Sequence, residues 1–235
     1  IAAGACVASF ALTEPEAGSD AAHLKTTAIR NGEQYIFNGT KRYITNAPTA
    51  DILTVMARTN PEIDGARGVS SFIVERGTPG LSFGKPEQKM GQQGAHICDV
   101  IFDNCHVPAK NLIGGVEGVG FKTAMKVLDR GRLHLAAVCV GHAQRALEEA
   151  LAYACERKQF GQAIPEFQLV QAMLANTKTE IYAAPCMTID AAKKRDAGKN
   201  VSTEAACAKM FASEMCGRGG GGAGRRFFGG GGVCG

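Results

Sequence analysis

The sequence has no CxxC pair, no apolar run approaching the roughly 18 residues of a membrane span, and no large surplus of one charge. Each absence removes a class of protein. Twenty-six basic against 22 acidic residues leave a net charge of +4, spread along the chain. A nucleic-acid binder would gather its basic residues on one face or stripe, so no nucleic-acid partner is expected. The nine cysteines (Cys6, Cys98, Cys105, Cys139, Cys155, Cys186, Cys207, Cys216 and Cys234) are odd in number and mostly have apolar neighbours. That favours reduced, buried thiols in a reducing compartment over disulfides. His96, Cys98, Cys105 and His106 share a strand-like segment, but zinc sites read as tighter pairs, and no metal is expected there. No basic stretch precedes an apolar core at the start. Ile1 is not methionine and the first residues already read as a strand, so the chain is expected to begin inside a longer protein.

What is present falls into two patterns. Residues 1–113 alternate with period two, as strands do. "ACVASFAL" reads as a buried strand. "LKTTAIRNGEQYIFNGTKRYITNA" reads as three strands joined by turns at Asn31-Gly32 and Asn38-Gly39, because tight hairpins favour Asn-Gly. Short strands at this spacing predict an antiparallel barrel or sandwich, with Leu12, Ile36, Ile44, Ile73 and Ile101 packed inside. After Gly114 and Gly115 the apolar residues fall three and four apart, which predicts long helices. A second helix is expected over residues 166–197, although Pro185 interrupts it. A third follows Ser202 or Thr203 as N-cap, with Glu204 in its first turn. Three helices with wide apolar stripes call for a fourth element or another subunit.

The last residues break the pattern. "GRGGGGAGRRFFGGGGVCG", residues 217–235, is mostly glycine with arginine, which disfavours helix and offers little to a core. It is read as a disordered tail or a misread segment, with few core contacts after Arg218.

One loop stands out. In "ALTEPEAGSDAAHLKTTA", residues 11–28, an apolar strand ends in Thr-Glu-Pro and turns back through Glu-Ala-Gly-Ser-Asp. Pro15 stiffens the turn. The loop reads either as an ordinary long hairpin loop or as one built to hold a polar ligand, in which Gly18 would let backbone approach the ligand and Ser19 would offer a hydroxyl and an N–H.

"ALTEPEAGSD" followed by "GEQYIFNGTKRYITNA" resembles the middle domain of acyl-CoA dehydrogenases. "DRGRLHLAA" followed by "YACERKQFGQAIPEFQLVQAMLA" resembles the start of their C-terminal domain. The resemblance covers about residues 1–216 and departs from the family after Arg218. It implies an α+β multidomain protein with a middle β-barrel domain (1–113) and a truncated four-helix-bundle domain (114–216). The family's N-terminal helical domain has no counterpart here. The implied cofactor is FAD, held between barrel and bundle, and the implied substrate is an acyl-CoA.

The resemblance also assigns roles. Thr13 and Thr45 fall where family members hydrogen-bond the flavin ring, stabilising charge that builds toward N1 and the C2 carbonyl as hydride reaches N5. Phe10 and Tyr43 stand where relatives carry Tyr and Trp. Leu12 and Ile44 complete the cofactor set on these two segments, with Gly18 and Ser19 on the loop. Ser19 is also expected to meet the acyl-CoA. Asp129 and Arg132, three apart on one helix face, are implied to lie near the CoA moiety. Arg157, Gln159, Phe160 and Gln168 match positions that reach the FAD of a neighbouring subunit, which implies a homo-oligomer, a dimer of dimers.

Family chemistry removes an α-proton with a Glu carboxylate while hydride leaves the β-carbon. That Glu usually sits in a Tyr-Glu-Gly-Thr-like stretch that is not found here. The alternative position, on the first bundle helix, is Gly131. The base is therefore expected beyond residue 235, and the fragment itself is expected to be inactive. Electrons are expected to pass to an electron-transfer flavoprotein. Alternatives are an acyl-CoA oxidase of the same superfamily, a non-catalytic acyl-CoA- or flavin-binding scaffold, or a domain with no ligand. The compartment is open between bacterial cytoplasm and mitochondrial matrix.

Overall fold

The computed structural model describes residues 1–227, with side chains through Gly219. Two compact units divide it, Ile1–Lys126 and a second that begins at Val127. Each is described separately.

The first unit is a seven-stranded sheet of order β1-β4-β2-β3-β7-β6, with β5 on the other edge of β4. The strands are β1 (Ala8–Ala11), β2 (Thr27–Asn31), β3 (Gln34–Thr45), β4 (Ile52–Arg58), β5 (Val69–Glu75), β6 (Leu81–Phe83) and β7 (Ile97–Pro108). The pairings are not all antiparallel as expected: β1 and β2 both run parallel to β4, so the sheet is mixed. Asn31-Gly32 turns β2 into β3, with Gly32 at φ 59. Asn38-Gly39, expected to be a second turn, lies inside the continuous strand β3. Its partner β7 bulges there instead, with Asn104 at φ 45, and the Asn38 side chain accepts the Asn104 N–H at 2.9 Å.

A second bulge, in β3 itself at Arg42-Tyr43, sets two residues against Asp99. An extra residue reverses which side chains face inward. Before it Tyr35, Phe37 and Lys41 point in; after it Ile44 does. The expected core is corrected accordingly. Leu12 and Ile44 are buried, but Ile36 is only partly so, and Ile73 and Ile101 are 42% and 37% exposed. The inner face belongs to their neighbours Tyr35, Phe37, Phe72, Val74, Val100 and Phe102. Phe72 meets Tyr35 and Phe37 edge-on, with centroids 4.8 and 4.9 Å away, a favoured aromatic geometry.

Three helices follow: α1 (Gly120–Glu156), α2 (Gln168–Asp196) and α3 (Ser202–Phe227). Gly120 opens α1 against β5, where an added Cβ would stand 2.3 Å from Ser70 backbone. In the second unit each helix turns inward a seam spaced alternately three and four: Leu133, Ala136, the partly buried Val140, Ala143 and Leu147 on α1, Ile181, Ala184, Thr188 and Ala191 on α2, and Ala205, Ala208, Ala212, Met215 and Gly219 on α3. This is the spacing of knobs-into-holes packing, and α2 and α3 approach closely along it.

The seam explains why the glycine-rich stretch was misjudged. α3 does not stop near Arg218 but runs to Phe227. Gly219 is buried, and a Cβ there would lie 3.3 Å from the Thr177 methyl of α2. Arg218 also pairs with Glu180 of α2 at 3.2 Å. Tertiary contact outweighs helix propensity at this point. Phe228 and the residues after it lie outside the described residues. α2 likewise continues through Pro185.

Cys98 and Cys105 are buried as expected, but Cys6, Cys155, Cys186 and Cys207 are exposed. Cys6 lies in the coil before β1, and the other three lie on helix faces that the chain leaves uncovered.

Candidate functional site

In the first unit the chain leaving β1 lies along the second half of β3. The Ser9 hydroxyl donates to the Thr45 carbonyl at 2.6 Å, and the Arg42 N–H donates to the Thr13 carbonyl at 2.8 Å. Phe10, Leu12 and Thr13 are thereby brought beside Tyr43, Ile44 and Thr45. The bulge holds Tyr43 at φ 57 and turns its ring outward, 58% exposed, with the Arg42 guanidinium 5.5 Å from its centroid. Arg42 is itself paired with Asp99 at 3.3 Å, which holds its pKa above the usual value. Among the described residues no side chain engages the Thr13 or Thr45 hydroxyl.

The loop begins with a tight turn. Glu14 and Ala17 exchange backbone hydrogen bonds of 3.0 and 3.3 Å around Pro15. Gly18, Ser19 and Asp20 are exposed at its tip. A Cβ at Gly18 would meet nothing, so the chain's own packing does not require glycine there. Asp20 holds the His23 ring, Nδ1 to Oδ1 at 2.6 Å, and this hydrogen bond raises the imidazole pKa.

Three residues that sequence reasoning missed support this loop. Glu14 is buried, and its carboxylate accepts from Lys25 N at 2.5 Å, Thr26 N at 3.0 Å and Lys41 Nζ at 2.7 Å. Lys41 is wholly buried and also donates to the Leu12 carbonyl at 3.0 Å. Desolvation pushes the Lys41 pKa down to about 8, partly offset by Glu14. For Glu14 desolvation pushes upward, but the Lys41 charge and the hydrogen bonds from Lys41, Thr26 and Lys25 together outweigh it, so its pKa is lowered. Arg58, also buried, donates to the Leu24, Ala22 and Ile63 carbonyls at 3.1, 2.9 and 2.7 Å. For Lys41 and Arg58 the sequence signal was a charge within a strand, and for Glu14 its place in the Thr-Glu-Pro turn.

In the second unit Asp129 and Arg132 form an ion pair, and the Ser202 hydroxyl donates to Asp129 at 2.7 Å. Ser202 therefore binds Asp129, while its own N–H goes to Asn200 at 3.1 Å. Gly131 lies exposed between the pair's residues, with open space where a Cβ would stand. Arg157 leads into a small hairpin, β8 (Lys158–Gln159) with β9 (Gln162–Ala163), that carries Gln159 and Phe160, and Gln168 opens α2 shortly after it. Phe160 and Gly161, at φ 53 and 83, make the left-handed turn that such hairpins need. Phe160 is 95% exposed, its ring edge-on to Phe167 at 6.2 Å.

Comparison with known proteins decides the family. The middle-domain family of acyl-CoA dehydrogenases matches residues 9–105, and their C-terminal-domain family matches residues 118–232. The chain belongs to the acyl-CoA dehydrogenase family. Its C-terminal match runs past Arg218, so the family resemblance does not end there. The caffeyl-CoA reductase–Etf complex subunit CarC of Acetobacterium woodii is 46% identical over 208 residues, 88% of this chain and 54% of that protein. An acyl-CoA dehydrogenase of Bacillus subtilis is 45% identical over 214 residues, 91% of this chain and 56% of that protein. The butyryl-CoA dehydrogenase structure from Megasphaera elsdenii superposes with a TM-score of 0.92 at 41% identity, covering 97% of this chain and 59% of that one. The chain thus spans about half the length of the curated relatives it matches.

Family members are flavoproteins, and the first unit's residues fit that cofactor. Two threonine hydroxyls without partners, an outward aromatic ring and a loop tip open at Gly18 are the donor set and surface that a flat, polar heterocycle requires.

Proposed function

We propose that this chain carries the flavin- and thioester-binding part of an enzyme that dehydrogenates acyl-CoA at its α,β bond. The observation that carries the reading is the meeting of Leu12–Thr13 with Tyr43–Thr45. Bound FAD supplies the hydride acceptor. Thr13 and Thr45 donate hydrogen bonds to it, Phe10, Leu12, Tyr43 and Ile44 supply surface, and Gly18 and Ser19 admit phosphate or the acyl-CoA. Asp129 and Arg132 hold the CoA moiety. Arg157, Gln159, Phe160 and Gln168 reach the FAD of a neighbouring subunit in a homo-oligomer, a dimer of dimers. The α-proton goes to a Glu beyond residue 235, and electrons pass to an electron-transfer flavoprotein. Fatty-acid β-oxidation is the process proposed, in a reducing compartment, bacterial cytoplasm or mitochondrial matrix, in keeping with nine cysteines that form no CxxC pair.

A second reading follows from the reductase name of the Acetobacterium woodii relative: the same site run toward saturation of an enoyl-CoA. Anaerobic titration of the FAD-loaded full-length protein tests both. Bleaching of the flavin by saturated acyl-CoA supports dehydrogenation. Reoxidation of prereduced flavin by enoyl-CoA, with little bleaching by acyl-CoA, supports the reductive direction. Hydrogen peroxide release in air marks an oxidase. A flavin that responds to no CoA ester leaves only a scaffold. Thr45→Val, which matches the shape, is expected to keep the fold and destabilise reduced flavin by about 1 kcal/mol, read as a lowered reduction potential.

A further inference from the structure

The loop of residues 14–26 is tied down in an unusual way. Its tip is exposed, while both ends are fixed by charged groups that the sheet buries. At the entry, one carboxylate joins the two ends to each other: Glu14 belongs to the first turn, and the Lys25 and Thr26 N–H groups that it accepts belong to the exit. Lys41 of β3 completes that junction and reaches Leu12, the residue before Thr13. At the exit, Arg58 of β4 holds the carbonyls of Ala22 and Leu24, and among the described residues no carboxylate pairs with it. Gly39 clears the space for this junction. A Cβ there would stand 2.6 Å from the Thr26 hydroxyl and 2.8 Å from its Cα.

We propose that Glu14, Lys41 and Arg58 are positioning residues: a buried clasp that presets the Gly18–Ser19 tip and the Leu12–Thr13 segment before any ligand arrives. The ligand class is the flavin and CoA ester of the proposed function, on which this inference rests. A simple apolar plug would fill the same volume, but it would leave the Lys25 and Thr26 N–H groups and the Leu12 carbonyl without partners inside the sheet. Two buried cations therefore do what packing cannot. They fix backbone at both roots of a loop whose tip makes few contacts of its own, and a preset loop loses less entropy on binding.

The test uses the full-length, FAD-loaded protein with Glu14→Gln/Lys41→Met, a pair of changes that removes both charges together and leaves no buried ion alone. Amide hydrogen exchange is followed without CoA ester, and steady-state kinetics with it. The clasp predicts that amides of residues 14–26 exchange at least about tenfold faster while those of β4 and β5 are unchanged. It also predicts a KM for the CoA ester raised about tenfold with kcat nearly unchanged. Arg58→Leu is expected to loosen the exit alone. If the folded double variant keeps wild-type loop exchange and KM, the clasp is overturned. A fall in kcat at constant KM also overturns it, because the pair would then act on chemistry rather than position. A wild-type protein that takes up no flavin or CoA ester sinks the proposed function, and the exchange result still decides whether the clasp exists.

Discussion

Lys41 shows how much one side chain can hold. Its ammonium is wholly buried, so it depends on Glu14 and the Leu12 carbonyl for all its solvation. Breaking such a pair from one side costs far more than removing it whole. Lys41→Met, which strands the Glu14 carboxylate, is expected to lower unfolding free energy by about 3–5 kcal/mol, and Glu14→Gln/Lys41→Met to recover most of that loss. Urea unfolding of the three proteins checks the order, and an equal loss in single and double variants would contradict it. The pair also has a pH signature. Because the Glu14 pKa is lowered from 4.5, its stabilisation is present above that value and is lost as pH falls through the lowered one. Wild type should therefore lose more stability than Glu14→Gln below about pH 4.5, seen as a steeper fall in the urea midpoint. Thr13 with the Gly-Ser tip, and Thr45 apart from them, could be picked out of the sequence because each lies in its own contiguous motif. The buried roles of Glu14, Lys41 and Arg58 could not, since a lone charge in a loop or strand ordinarily faces water and only the assembled sheet shows that these face inward.

At the scale of elements, the strands were legible and their phase was not. Alternation marks a strand without saying which set faces in, and two bulges reverse the answer part-way along β3 and β7. Asn-Gly has the same ambiguity. Gly32 serves a turn at φ 59, whereas Gly39, at φ 144, serves a close approach to Thr26. The two glycines should respond differently to substitution. Gly39→Ala meets both a disfavoured backbone and a backbone atom at 2.8 Å, and is expected to cost about 1–3 kcal/mol. Gly32→Ala meets only the conformational term, about 1 kcal/mol. Thermal unfolding of the two variants separates them, and equal losses would mean that Thr26 moves aside freely. Among the helices, α2 runs through Pro185 even though proline removes a backbone donor there. Pro185→Ala is expected to stabilise the chain, by as much as about 3 kcal/mol, as a higher melting temperature. No gain would show that the neighbouring turn has adapted fully to the proline. The continuation of α3 past Arg218 was illegible for a related reason, because Gly219 acts through its closeness to Thr177 and propensity contains no such contact.

At the scale of the molecule, the change from period two to a three-and-four spacing announced a sheet followed by long helices, which is the order of elements found. What no single chain can reveal is what covers the apolar side chains that remain outside. With their seams already packed, the helices of the second unit still expose Leu135, Val138, Tyr182 and Met210, and Phe160 and Leu169 project from the hairpin region at 95% and 81% exposure. Where such side chains adjoin, they mark a surface that another protein covers. The hairpin joins such apolar side chains to Arg157, whose guanidinium suits a pyrophosphate. If the proposed sharing of FAD between subunits holds, removing either kind of group should weaken assembly and cofactor retention together. Arg157→Ala is expected to lower both the flavin-to-protein absorbance ratio and the mass of the assembly, and Phe160→Ser to do the same through lost apolar contact. Size-exclusion chromatography with light scattering and visible absorbance reads both quantities in one run. Adding excess FAD should restore the mass of Arg157→Ala in part, since a ligand that bridges subunits stabilises the assembly by mass action. An Arg157→Ala protein that loses flavin but keeps its mass at every FAD concentration would show that cofactor and interface are separate, and that this arginine serves only its own subunit.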